Sequence, residues 1–177
     1  IVRLGQGNPP VELGWTTRLN VRNWQVAALF RGAFGHVLVN QTRQFHELEY
    51  SDQSIPVYNR IETDLAEAGL VVNRFSSLYV ESADFLTLDY LTLARTFQFK
   101  RPRGPKALTV SLTGQNLFTL TTYTGLDPEP ALEDEGTRFF ESIAFPIRPA
   151  DPFVAGIDRR YSYLPSRTVV LGVRLAL

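Results

Sequence analysis

The chain has 177 residues, 44% of them apolar and 12% aromatic, and its 18 Lys and Arg balance 18 Asp and Glu. Zero net charge lacks the basic surplus that nucleic-acid binding needs, and the absence of cysteine excludes disulfides, thiolate metal sites and cysteine nucleophiles. No apolar run reaches the roughly 20 residues of a membrane-crossing helix; no signal peptide opens the chain and no methionine occurs, so a processed chain or a piece of a longer one is expected.

The first predicted strand is "VELGWTTRLNV", residues 11–21. Val11, Leu13, Trp15, Thr17, Leu19 and Val21 fall on one face; Glu12, Gly14, Thr16, Arg18 and Asn20 fall on the other. Arg22-Asn23 suffices as a two-residue turn, and "WQVAALFRGAF" at 24–34 returns. That hairpin sets Val21 opposite Trp24, Leu19 opposite Val26 and Trp15 opposite Phe30, all on the apolar face. The second face pairs Asn20 with Gln25 and leaves Glu12 diagonal to Arg31, an expected ion pair.

Residues 35–84 form a long connection. A short helix is predicted in it, with Asn59 as cap, Glu62 completing a capping box and Gly69 ending it. The next strand spans 85–99, and its apolar alternation changes parity near Asp89-Tyr90, which predicts a bulge. A short basic connection, "KRPRGPK" at 100–106, leads to a strand over 107–120, in which Leu108, Val110 and Leu112 alternate with Thr109, Ser111 and Thr113. Residues 121–165 are acidic and proline-rich, with Asp127, Glu129, Glu133, Asp134 and Glu135, and are expected to be loop. The last strand, 167–177, puts Val169, Leu171, Val173, Leu175 and Leu177 on one face.

Alternation alone does not identify lipid, because a soluble β-sandwich alternates too and turns its apolar face to a core. The connections discriminate. Short turns at one end and long loops at the other are the habit of a transmembrane barrel; there the polar face lines the lumen and the apolar face meets lipid. A soluble sandwich serving as a carbohydrate-binding or adhesion module is the alternative, separated by solubility without detergent.

"LTGQNLFTLTTYTGLDPE" closely resembles the near-terminal signature of the SusC/RagA branch of TonB-dependent outer-membrane transporters, G-[QR]-N-L-[FY] followed by T-x-Y-x-G-x-D-P-E. The matching residues are Gly114, Gln115, Asn116, Leu117, Phe118, Thr121, Tyr123, Gly125, Asp127, Pro128 and Glu129. "SLYVESADFLTLDYLTLARTF" is similar to another family stretch through Val80, Glu81, Ala83, Leu86, Leu88, Thr92 and Leu93. "FRGAFGHVLVNQTR" is similar to Q-G-x-x-G-x-x-x-x-N-x-x-R through Gly32, Gly35, Asn40 and Arg43. The closing "PSRTVVLGVRLAL" matches through Pro165, Arg167, Thr168 and Gly172. Two departures stand out: the family usually ends on an aromatic residue where this chain ends at Leu177, and Arg95 replaces the family's frequent Tyr in T-L-G-Y.

The resemblance implies an all-β chain forming the C-terminal five antiparallel strands of a barrel of about 22 strands, at 11–21, 24–34, 85–99, 107–120 and 167–177. Loops 35–84 and 121–165 would lie outside the cell, and the N-terminal plug would be absent from this stretch. The implied activity is import of glycans or peptides across the bacterial outer membrane, with no chemistry on the cargo and no cofactor. The implied partners are a SusD-like surface lipoprotein, TonB acting through the missing N-terminal region, the cargo and membrane lipid.

Single residues divide between sharp and plain readings. Asp127 and Glu129 have the composition of a glycosidase pair or, with Glu133 to Glu135, of a calcium site; a solvated loop with an Asp-Pro turn explains them more simply. His36 and His46 lack ligand spacing. Arg18, Arg31 and Arg174 fall on the lumen side and are candidates to contact plug or cargo, against the plainer reading of ion pairs within the wall.

Overall fold

The computed structural model describes residues 4–47, 61, 76–100, 104–129, 156–158 and 165–176. In chain order the elements are β1 (Val11–Val21), β2 (Trp24–Phe34), β3 (Val37–Asn40), helix α1 (Gln41–His46), a 3-10 turn (Ser77–Tyr79), β4 (Val80–Ser82), β5 (Phe85–Gln98), β6 (Ala107–Thr121), β7 (Ile157–Asp158) and β8 (Thr168–Ala176). They fall into two compact units, one comprising residues 11–33, 85–121 and 165–177, the other residues 1–10, 34–84 and 122–164.

The first unit is a five-stranded antiparallel sheet in the order β1-β2-β5-β6-β8, so each strand neighbours the next one of the sheet in sequence. Arg22 adopts φ 52° in the β1–β2 turn, the left-handed conformation that a tight hairpin turn demands. Trp15 stacks on Phe30 with ring centroids 5.5 Å apart, as the expected hairpin register requires.

The bulge expected near Asp89-Tyr90 is present. Leu29 pairs with Tyr90 but Phe30 pairs with Leu88, so Asp89 is an extra residue. Leu86 and Leu88 before it thereby share a face with Leu91 and Leu93 after it. On β6 the partner of Leu88 is Phe118 and that of Tyr90 is Gln115, leaving Asn116 and Leu117 as two extra residues. Two extra residues preserve parity, so the sequence gives no sign of this second irregularity. Its geometric mark is Asn116 at φ 51°, a conformation that Asn tolerates and β-branched residues do not.

The outcome is one continuous apolar face. Across β5, β6 and β8 it aligns Leu93, Leu112 and Leu171, and then Phe97, Leu108 and Leu175. All of these but the half-buried Leu108 are exposed, and on β8 Val169 reaches 68%, Leu171 69% and Val173 67%. The opposite face is knitted by hydroxyls: Thr92 to Thr113 at 2.8 Å, Thr96 to Thr109 at 3.0 Å and Thr119 to Thr87 at 3.1 Å. Cross-strand hydroxyl pairs of this kind contribute a few tenths to about 1 kcal/mol each.

Among the described residues, the second unit adds short elements within the long connections 35–84 and 121–165. β3 lies at the centre of a small sheet, antiparallel to β4 and parallel to β7. The Val37 N–H also donates to the Gln6 carbonyl at 2.9 Å. Leu38, Ala83 and Tyr123 form its apolar core. Gly35 holds φ +82°, and a Cβ there would come within 2.8 Å of Pro10, so both conformation and space select glycine. Strands of 2–4 residues are too short to register as periodicity, which is why the sequence reads as loop. Of the helix expected from Asn59 to Gly69, all but Ile61 lies outside the described residues.

The conformation of Asn116 predicts a split between two substitutions. In the purified full-length chain, Asn116→Val should cost about 1–2 kcal/mol of unfolding free energy in urea, while Asn116→Gly should be near neutral. Equal stability of the two variants would remove the backbone argument.

Candidate functional site: a buried charged cluster built from the signature residues

β3 ends at Asn40, whose Oδ1 accepts from the Arg43 N–H at 3.0 Å and so caps α1. The cap places Arg43 one turn inside the helix, where it is fully buried. Its Nε donates to Glu47 at 2.8 Å, one helical turn on; its Nη1 donates to Glu81 at 2.6 Å and to the Leu78 carbonyl at 3.3 Å. The guanidinium also lies 5.7 Å from the Tyr79 ring centroid.

Glu81, on β4, gathers further donors. The Thr124 N–H and hydroxyl donate to it at 3.0 and 2.7 Å, and Asn40 Nδ2 at 3.2 Å. A buried ion is tolerable only when its remaining hydrogen-bonding positions are filled, and here β3, α1, β4 and the segment after β6 each fill some. Burial alone would lower the Arg43 pKa, but the hydrogen bonds to Glu47 and Glu81 outweigh it and hold the value above that of an ordinary Arg. Burial alone would raise Glu81; the hydrogen bonds from Arg43 and Thr124 outweigh that and keep it below the ordinary Glu value. Both partners are therefore charged near neutral pH.

A second arrangement adjoins the first through Tyr123 and Thr124. The Tyr123 hydroxyl donates to the fully buried Asp158 at 2.9 Å, and the Leu126 N–H donates to the same carboxylate at 3.2 Å. Burial and then the Asp158 charge push the Tyr123 pKa far up, so the phenol stays a donor. A Cβ on Gly125 would lie 2.4 Å from the Tyr123 ring, which explains glycine at that signature position. Asp127 Oδ1 accepts from the Glu129 N–H at 2.9 Å and shapes the Asp-Pro-Glu turn, and His36 Nε2 donates to the Pro128 carbonyl at 3.2 Å.

The signature residues thus divide by place. Gly114, Gln115, Asn116, Leu117 and Phe118 lie on β6 around the second irregularity. Gly125, Asp127, Pro128 and Glu129 belong to the second unit, along with Asn40, Arg43, Glu81 and Tyr123. These last four match the family in sequence, but no role for them is legible there. The available signal was that three separate motifs each carry a polar residue amid apolar neighbours. Among the described residues no group of three or more His, Cys, Asp or Glu is placed to hold a metal, and the Asp127 carboxylate is engaged in its own turn. The cluster's geometry is that of a structural clamp.

Of the three arginines predicted on the polar face, Arg31 forms a two-pronged ion pair with Asp89, with Nη2 to Oδ1 at 3.2 Å. The partner expected from the hairpin alone was Glu12. Asp89 is the extra residue of the bulge, so its face could be known only once the register was. Arg18 lies on β1, and Arg174 on β8 pairs in register with Thr109.

Two consequences are testable in the full-length chain. Arg43→Ala leaves Glu47 and Glu81 buried without their cation and should lower the opening free energy of residues 37–47 and 78–82 by about 3–5 kcal/mol, read by hydrogen exchange. The Glu81 carboxyl is depressed in the folded state, so its contribution is fully present above its ordinary value of 4.5 and is lost as pH falls through the lower folded value. Protection of the same segment, corrected for intrinsic exchange rates, should hold down to about pH 4.5 and then fall, and Glu81→Gln should flatten that acid limb.

No family model matches the sequence. A curated relative, TonB-dependent receptor P3 of Formosa agariphila, is 23% identical over 142 residues, covering 76% of this chain and 14% of the relative. Among solved structures, the RagAB peptide importer in its closed-closed state superposes with a TM-score of 0.66 at 22% identity, over 96% of this chain and 17% of that one. The open-open state of the same importer gives 0.65 with the same coverage. The chain thus spans about a sixth or less of the proteins it matches, and these are named as a receptor and an importer, not as enzymes. In fold the chain matches a stretch of the RagAB peptide importer, and in sequence it is similar to part of a TonB-dependent receptor.

Proposed function

We propose that this chain is part of an energy-coupled importer of glycans or peptides in the bacterial outer membrane. The observation that carries the reading is the five-stranded meander with one exposed apolar face and one hydroxyl-lined face. Its strands of 9–15 residues meet the roughly 9–11 that a tilted membrane strand needs. A soluble sandwich would bury Leu171 and Val173, which are 69% and 67% exposed. In lipid the same exposure is favourable, and the Thr-rich face lines a wet lumen.

On this reading the outer edges of β1 and β8 pair with further strands of a longer chain, because unpaired backbone groups in hydrocarbon cost several kcal/mol each. The connections 35–84 and 121–165 fall outside the cell, where a SusD-like lipoprotein presents cargo. TonB, acting through a plug elsewhere in the chain, opens the route, and no bond in the cargo is made or broken. Arg18, Arg31 and Arg174 face the lumen as contacts for plug or cargo. Similarity to peptide importers favours peptide over glycan as cargo.

Two measurements test this together. The native chain should appear in the detergent-extracted outer-membrane fraction with a denatured mass several times 20.0 kDa. Deletion of its gene should abolish energy-dependent uptake of a labelled oligopeptide or oligosaccharide. A detergent-independent protein, or unchanged uptake of both cargo classes, would overturn the proposal.

A further inference from the structure

β5 places a charged side chain on the apolar face. Beyond the bulge that face takes Leu91, Leu93, Arg95 and Phe97, and Arg95 stands in register between Trp24 of β2 and Val110 of β6. Its guanidinium carbon lies 4.9 Å from the Trp24 ring centroid and 4.8 Å from that of Phe97, both inside the cation–π range of about 6 Å. The residue is exposed, and among the described residues no carboxylate pairs with it. The rings hold the cation in place but supply no acceptor for its N–H donors.

The position along the strand is equally specific. Arg95 is near the end of the sheet where the two short connections lie. There the Thr96 N–H donates to the Asn23 carbonyl at 2.9 Å, and the Phe99 N–H to the Lys106 carbonyl at 2.8 Å. Exposed Arg22, Lys100 and Lys106 gather at that end. From Arg95 to Phe97 is about 7 Å along a strand, within the reach of a flexible side chain that keeps its stem on apolar surface and its head at the boundary.

A ligand suited to this place has a long apolar body to lie along Val26, Leu93 and Leu112, and an anionic oxygen-rich head to meet the guanidinium fork. Soluble phosphate has no use for the apolar face, and a peptide or sugar cargo would travel on the other side of the wall. We propose that Arg95, held by Trp24 and Phe97, binds the phosphate of a glycerophospholipid in the periplasmic leaflet. The assignment rests on the membrane reading above. Arg suits it better than Tyr, since two parallel N–H donors match two phosphate oxygens.

The test uses the full-length protein in detergent and counts bound lipid by native mass spectrometry after adding phosphatidylglycerol or, as the headgroup-free control, diacylglycerol. R95Q should retain about tenfold less phosphatidylglycerol than the unaltered protein, with R95K in between, while diacylglycerol retention stays low and equal in all three. Equal phosphatidylglycerol retention by R95Q and the unaltered protein overturns the site. Loss of co-purified lipopolysaccharide, with phospholipid unchanged, places Arg95 at the outer leaflet and overturns it too. Failure of the membrane reading is distinguishable, because the unaltered protein itself would then be missing from the detergent extract.

Discussion

Side chains on a strand alternate between faces with period two, so a single extra residue moves everything beyond it to the wrong side. A sheet with one apolar and one polar face must therefore keep parity across every strand, and this constraint organises the first unit. β5 gains Asp89 and changes its sequence parity at the same place, so Leu88 and Leu91 remain on one face. β6 gains Asn116 and Leu117, and needs no change of pattern. The two irregularities face each other across the β5–β6 ladder, and the strands keep their shared faces on both sides of them. Asp89, pushed out of the ladder, becomes the carboxylate that holds Arg31.

The second unit obeys a different constraint. Its elements are too short to be held by their own ladders, and its apolar core is small. What joins its segments is the set of hydrogen-bond partners required to bury Arg43, Glu81 and Asp158. Each charge draws a group from a separate stretch of chain: Asn40 from the end of β3, Leu78 from the 3-10 turn, Thr124 and Leu126 from the segment following β6. Such clusters are fragile to loss of one member, because a remaining charge stays buried without compensation.

These two constraints decide what could be read in advance. The five strands, their polar and apolar faces and the bulge at Asp89 were legible because alternation over 9–15 residues is a strong local signal. The β6 irregularity was not, because two extra residues erase their own trace. The pairing of Arg31 with Asp89 depends on a register that only the third dimension fixes. Asn40, Arg43, Glu81 and Tyr123 were visible as matched positions, but their convergence links segments up to 84 residues apart, as between Asn40 and Thr124. No periodicity carries that information, and β3, β4 and β7 are too short to announce themselves.

Arg95 is the instructive exception within the first unit. By parity it belongs to the apolar face, where a bare charge at mid-membrane depth is costly. Its neighbours relieve that conflict in two ways. Trp24 and Phe97 attract the cation through their ring faces, and the sheet ends within a few residues, where the phosphates of a bilayer would begin. A charge in such a position is placed by depth as well as by face. On the membrane reading, an aromatic residue there would meet the boundary with its amphipathic ring, and an arginine braced by two aromatics would offer it a guanidinium fork. On that reading, the rule that apolar side chains occupy one face holds along the sheet until hydrocarbon gives way to headgroup.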